Sequence, residues 1–263
     1  MQKILNQLQK IKQQKKTGLM THIIAGCPDM NMCKKIVLLM QKNNVDFLEI
    51  QLPFSDPIAD GKVMTQGNEI ALKNGTTIND VFEFTKEIMK EINIPVIFVG
   101  YYNTMFKIGV EKFCKKARDL GVSGLLFPDI PFDEKINEGF FDSCKKYNLA
   151  PIEFISQTVT DERLSKINKL GKGFLYCTAR LGITGTHSKI SQNISSYLKK
   201  IKEKTDLPLA VGFGISNKDD IQKISKNADI AVIGSAIMKI VIDEKLDDQS
   251  KLKQIDIFLK NLV

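Results

Sequence analysis

The feature that most constrains this chain is a repeat of local pattern rather than of sequence. Eight short apolar or β-branched runs occur in order: Leu19–Gly26, Asp46–Leu52, Ile94–Gly100, Ser123–Asp129, Ala150–Ser156, Gly173–Ala179, Leu207–Gly214 and Asp229–Ser235. Each is followed by a longer stretch in which apolar residues return every three or four positions, as in "NMCKKIVLLMQKN" and "GVEKFCKKARDLG", often closed by glycine or asparagine. Runs this apolar are buried on both faces, which requires parallel strands covered by helices. Eight such units in 263 residues predict an α/β fold, a (β/α)8 TIM barrel spanning 1–263 as a single domain. An open doubly wound sheet shares the local pattern and is the alternative. Extra helices are expected at the N-terminus, where "MQKILNQLQKIKQQKK" reads as an amphipathic segment, and after strands 2 and 8. The two after strand 2 are placed at Lys62–Lys73 and Ile78–Glu91.

Composition excludes several classes. No apolar run approaches the ~18 residues of a membrane span, and the N-terminus lacks the apolar core of a signal peptide. A cytoplasmic protein is expected. The five cysteines are odd in number and widely spaced, which argues against a disulfide framework or zinc site. The two histidines, His22 and His187, have no carboxylate or cysteine at ligand spacing, so no metal site is expected. The net charge of +8 is nearly all scattered lysine with three arginines, a solvated surface rather than a nucleic-acid footprint.

In a barrel the loops after the strands build the active face. The last two strands end in "VGFGIS" and "IGSAIMKIV", where glycine gives way to a helix start. Their backbone N–H groups can converge on a phosphate, at the place where barrels often bind one. Glu49 stands near the end of the second strand; it either turns to solvent at the rim or faces the mouth, in the desolvated setting that acid–base chemistry uses. Asp60, in "ADG", is as readily an ordinary turn as a functional carboxylate. Pro53 and Pro57 stiffen the loop between them, which can therefore hold the two acids in a fixed relation. "ARLGITGTH" reads as a lid with Gly182 and Gly185 as hinges and Thr184 and Arg180 as its polar groups. Tyr176, Tyr101 and Phe213 can line a pocket for a flat ring or serve as plain core.

These residues resemble the alpha subunit family of tryptophan synthase. The resemblance runs over nearly the whole chain and is carried by "LEIQLPFSDPIADG" (Leu48–Gly61), "GYYN" (Gly100–Asn103), "FPDIP" (Phe127–Pro131), "LGITG" (Leu181–Gly185), "AVGFGIS" (Ala210–Ser216) and "VIGSAI" (Val232–Ile237). It implies retro-aldol cleavage of indole-3-glycerol phosphate to indole and glyceraldehyde 3-phosphate, with no cofactor in this chain. Glu49 would be the acid–base group and Asp60 the partner of the indole N–H. Tyr176, Tyr101, Phe213, Val99 and Leu126 would surround the ring, with Thr184 on the lid. Gly185, Gly214, Gly234 and Ser235 would hold the phosphate. The implied partner is a pyridoxal-phosphate beta subunit in an alpha2beta2 complex, faced by Pro53, Asp56 and Pro57. Four positions depart from the family pattern: Ile24, Cys27, Gln51 and Gln157. Gln51 is expected to point to the same side as Glu49. There it would narrow the pocket or hydrogen-bond Glu49, which leaves open a weakly active subunit that mainly activates its partner.

Overall fold

The computed structural model describes residues 1–178, 194–212 and 214–262. Its strands are β1 (Gly18–Ile24), β2 (Phe47–Gln51), β3 (Val96–Val99), β4 (Gly124–Leu126), β5 (Ala150–Pro151), β6 (Glu153–Ile155), β7 (Leu175–Thr178), β8 (Leu209–Gly212) and β9 (Ile230–Ile233). All pairings are parallel, in the order β5-β4-β3-β2-β1-β9-β8-β7-β6. Only Ile152 separates β5, which pairs with β4, from β6, which pairs with β7. The two pieces are one stave, interrupted beside Pro151, which has no N–H to give to a ladder. Eight staves thus close into a TIM barrel, as the eight apolar runs predict.

The period-two alternation of the strands sorts the core into two layers. Met20, Phe47, Ile97, Leu126, Phe174, Ala210, Ile230 and Val232 point inward and form one buried cluster with Ile152. Ile23, Leu48, Ile50, Phe98, Leu125, Val211 and Ile233 point outward into a second cluster beneath the helices. The amphipathic N-terminal segment is a helix, Gln2–Gln13, and its Ile4 and Ile11 belong to the inner cluster. It plugs the barrel at the end opposite the strand C-termini, so the interior is packed there.

The extra helices stand where expected. Lys62–Lys73 and Ile78–Ile88 follow β2, and Ser235–Val241 and Asp248–Lys260 follow β9, the eighth stave. The second of these begins in a capping box of Thr77 and Asp80 and ends three residues before the expected Glu91. One ion pair is buried in the wall: Lys135, on the helix Phe132–Asn137, donates to both oxygens of Glu153 at 2.8 and 3.0 Å. Among the described residues no helix is long and apolar enough to cross a membrane.

Candidate active site

Register sets the site. β1 and β2 align His22 with Glu49 and Ile24 with Gln51. Partners across a parallel ladder share a face, so His22 and Glu49 both enter the barrel, one layer above Met20 and Phe47. Glu49 is 1% exposed; it is an interior group and not a rim carboxylate. His22 Nδ1 lies 3.0 Å from Glu49 Oε2, and His22 Nε2 lies 2.7 Å from Gln51 Oε1. The Gln51 amide then donates to Asp60 Oδ2 at 2.7 Å. A continuous chain of side chains therefore runs Glu49, His22, Gln51, Asp60.

This corrects the expectation for Gln51. It points to the side of Glu49, as alternation requires, but its hydrogen bonds go to His22 and Asp60. It also adds His22, which spacing along the chain had set aside for want of a nearby carboxylate. Its partner is 27 residues away in sequence and adjacent only through the ladder. The signal was present in the alternation, since Met20 and His22 fall two apart on the first strand, as Phe47 and Glu49 do on the second.

Asp60 is held by more than Gln51. Asn68 Nδ2 reaches the same Oδ2 at 3.3 Å from the helix Lys62–Lys73, while its Oδ1 accepts the Phe54 N–H at 3.0 Å. The Tyr101 hydroxyl accepts the Ala59 N–H at 3.0 Å, and it favours the Asp60 anion. The Phe54 ring stacks on Tyr101 with centroids 5.1 Å apart. The loop is thus stiff, tied down at Phe54 and Ala59 as well as limited by its prolines. Burial pushes the Asp60 carboxyl above its usual range, against Gln51, His22, Tyr101 and Asn68, which all favour the anion. For His22, burial works against the charged form, but the hydrogen bond and charge of Glu49, the charge of Asp60 and the Gln51 contact outweigh it, so its pKa is raised.

Val99 and Leu126 stand at the ends of β3 and β4, where Val99 pairs with Gln51 and Leu126 with Val99. Tyr176 enters from β7 and stacks on Phe154 at 5.4 Å. Burial raises its pKa well above normal, and the negative charges of Glu49 and Asp60 raise it further. Its ring lies across β8 where a Cβ on Gly212 would sit 2.5 Å from the hydroxyl, which is why glycine stands there. Gly214 (φ +82°) follows β8, and Gly234 and Ser235 open the helix after β9, so these two turns flank the same mouth. Pro53, Asp56 and Pro57 lie on the outer rim with Asp56 exposed. Phe213, Thr184, Gly185, Arg180, Gly182 and His187 lie outside the described residues. Among the described residues no group of three His, Cys, Asp or Glu could hold a metal ion.

A closed parallel barrel with buried acid groups gathered at its strand C-termini has the architecture of the (β/α)8-barrel enzymes. Residues 8–262 match the family described as tryptophan synthase alpha chain. Relatives of that name include one from Desulfotalea psychrophila, 41% identical over 89% of this chain and 93% of its own, and one from Petrotoga mobilis, 38% identical over 93% and 94%. Among solved structures, a tryptophan synthase complex from Pyrococcus furiosus superposes with a TM-score of 0.83 at 27% identity, covering 94% of this chain and 98% of that one. The chain belongs to the tryptophan synthase alpha chain family, lyases of tryptophan biosynthesis.

Proposed function

We propose that the protein cleaves indole-3-glycerol phosphate to indole and glyceraldehyde 3-phosphate, as the alpha subunit of an alpha2beta2 tryptophan synthase in the cytoplasm. The observation that carries this reading is the pair of carboxylates at one mouth, Glu49 buried on β2 and Asp60 fixed on the loop that follows. Cleavage breaks the bond between indole C3 and the glycerol chain. C3 gains a proton, the adjacent hydroxyl loses one, and the hydroxyl carbon becomes the aldehyde. Glu49 gives the first proton and takes the second. While C3 is tetrahedral the indole nitrogen carries positive charge, and the Asp60 anion beside that N–H stabilises this state more than the ground state. Tyr176, Tyr101, Val99 and Leu126 form the walls for the ring, and the family resemblance adds Phe213 to the ring contacts and Thr184 to the lid. Gly214, Gly234 and Ser235, with Gly185, bind the phosphate through backbone N–H groups.

The pyridoxal phosphate of the complex belongs to the beta subunit, which takes up the indole. Pro53, Asp56 and Pro57 face that partner. Ile58, 75% exposed, and Phe106, 58% exposed, support an apolar contact there. Phe106 lines a cleft of about 370 Å³ together with Tyr102, Asn103, Asp129 and Pro131. The five cysteines, all free and buried, fit a reducing compartment.

The test is indole release from indole-3-glycerol phosphate by the purified chain, with and without a beta subunit. Glu49→Gln is expected to abolish release while substrate still binds. Normal turnover by that variant would remove Glu49 from the role. No indole in either mixture, with the beta subunit still stimulated, would make the chain a regulatory subunit.

A further inference from the structure

Hydrogen-bond direction fixes more about this site than distances do. Asp60 Oδ2 receives two amide N–H groups, from Gln51 at 2.7 Å and Asn68 at 3.3 Å, so it acts there as an acceptor. The Gln51 amide nitrogen therefore points at Asp60, and its oxygen must face His22. An amide oxygen only accepts, so the proton on His22 Nε2 is fixed in place. The remaining variable is the proton between His22 Nδ1 and Glu49 Oε2, 3.0 Å apart. That proton sits either on the imidazole, giving a carboxylate and an imidazolium, or on the carboxyl, giving two neutral groups.

We propose that His22 is the proton partner of Glu49, held by Gln51 and Asp60 in the one orientation in which its Nδ1 can lend and recover the proton that Glu49 exchanges with substrate. The inference rests on the lyase reading above. In the resting pair one proton is shared. Glu49 delivers it to indole C3, and the proton leaving the glycerol hydroxyl returns through Glu49 to the pair, so the balance closes without a further donor. Glu49 Oε1 carries no hydrogen bond among the described residues and is left for the reacting atoms. Among the described residues, the titratable groups facing the dyad are Asp60 from the loop after β2, whose charge reaches His22, and Tyr176 from β7, which feels both carboxylates. Gly234, after β9, brings only backbone against His22, where a Cβ would lie 3.4 Å from the histidine Cβ. His22 and Gln51 are positioning residues, and Gln51 couples the two carboxylates across a neutral amide.

The sequence holds only two histidines, so the pair can be read directly. In long-range proton–nitrogen spectra of the full chain labelled with 15N-histidine, His187→Gln leaves the signals of His22 alone. The expected result is a proton on Nε2 at every pH, with Nδ1 as the titrating nitrogen, and a titration midpoint that falls by about one unit or more in Glu49→Gln. An Nδ1–H tautomer at high pH, or a midpoint indifferent to Glu49→Gln, overturns the proposal. Kinetics supply the second measurement. In His22→Phe and His22→Asn, kcat for indole release is expected to drop about tenfold or more with KM nearly unchanged. The alkaline limb of the pH profile also moves, because the proton that the pair shares loses the imidazole that holds it. A lower kcat with the limb unmoved would make His22 merely structural. A chain that releases no indole at any pH overturns the lyase reading, while the spectra still decide the dyad.

Discussion

Asp60 shows how single residues set the chemistry. Burial raises its pKa, and four neighbours pull it back toward the anion that the role proposed for it beside the indole N–H requires. The sign follows: below its folded pKa Asp60 is neutral, so activity falls on the acid side. Asn68→Ala removes one donor to the anion, and the acid limb of kcat/KM is expected to move to higher pH; a limb that moves down would show that Asn68 does not support the charge. Asp60→Asn is expected to lower kcat by about 10² or more, measured as indole release at saturating substrate. At this scale the sequence was half legible. Glu49 and Asp60 stand out in the sequence as a strand-end acid and an acid in a proline-braced loop, and the structure brings both to one mouth. His22 could not be found by spacing along the chain, because its contacts run across the ladder, and Gln51 was seen but given the wrong partner for the same reason.

Elements carry the next layer of the argument. The loop from Leu52 to Gly61 is restrained by contacts to Asn68 and Tyr101, side chains that arrive from a helix and from the end of β3. Prolines announce such a loop in a sequence; its tertiary ties do not. The buried pair of Lys135 and Glu153 joins the helix Phe132–Asn137 to β6, and both residues are 2% exposed. Removing one partner strands a charge in the wall. Lys135→Met is therefore expected to cost about 3–5 kcal/mol in urea unfolding, and Lys135→Met with Glu153→Leu to recover most of it. If the double variant is no more stable than the single, the pair is compensated by other contacts. Nothing in the alternation of "APIEFIS" marks Glu153 as buried, because a polar residue flanked by apolar ones reads as solvent-facing on a half-exposed strand.

For the whole molecule the barrel was the most legible feature. Doubly buried parallel strands must be apolar along their length, and the helices between them must be amphipathic, so eight units leave few other closures. The split of the fifth stave at Ile152 was not legible, since pairing geometry rather than composition breaks it. The assembly proposed above is tested at the same scale: Ile58→Asp, at a position 75% exposed, is expected to leave the unfolding midpoint of the isolated chain within about 0.5 kcal/mol and to weaken binding to a beta subunit by about tenfold or more in titration calorimetry. Unchanged affinity would place the contact elsewhere.

Tyr101 joins these scales. Its hydroxyl holds the backbone of Ala59 and favours the neighbouring Asp60 anion, so one oxygen bears on both the loop and the carboxylate. Ile58, the residue before Ala59, projects into solvent. The exposed side chain and the carboxylate therefore stand two residues apart on either side of one anchored peptide N–H, so in the complex proposed above a contact at Ile58 would fall on the same short span that holds Asp60.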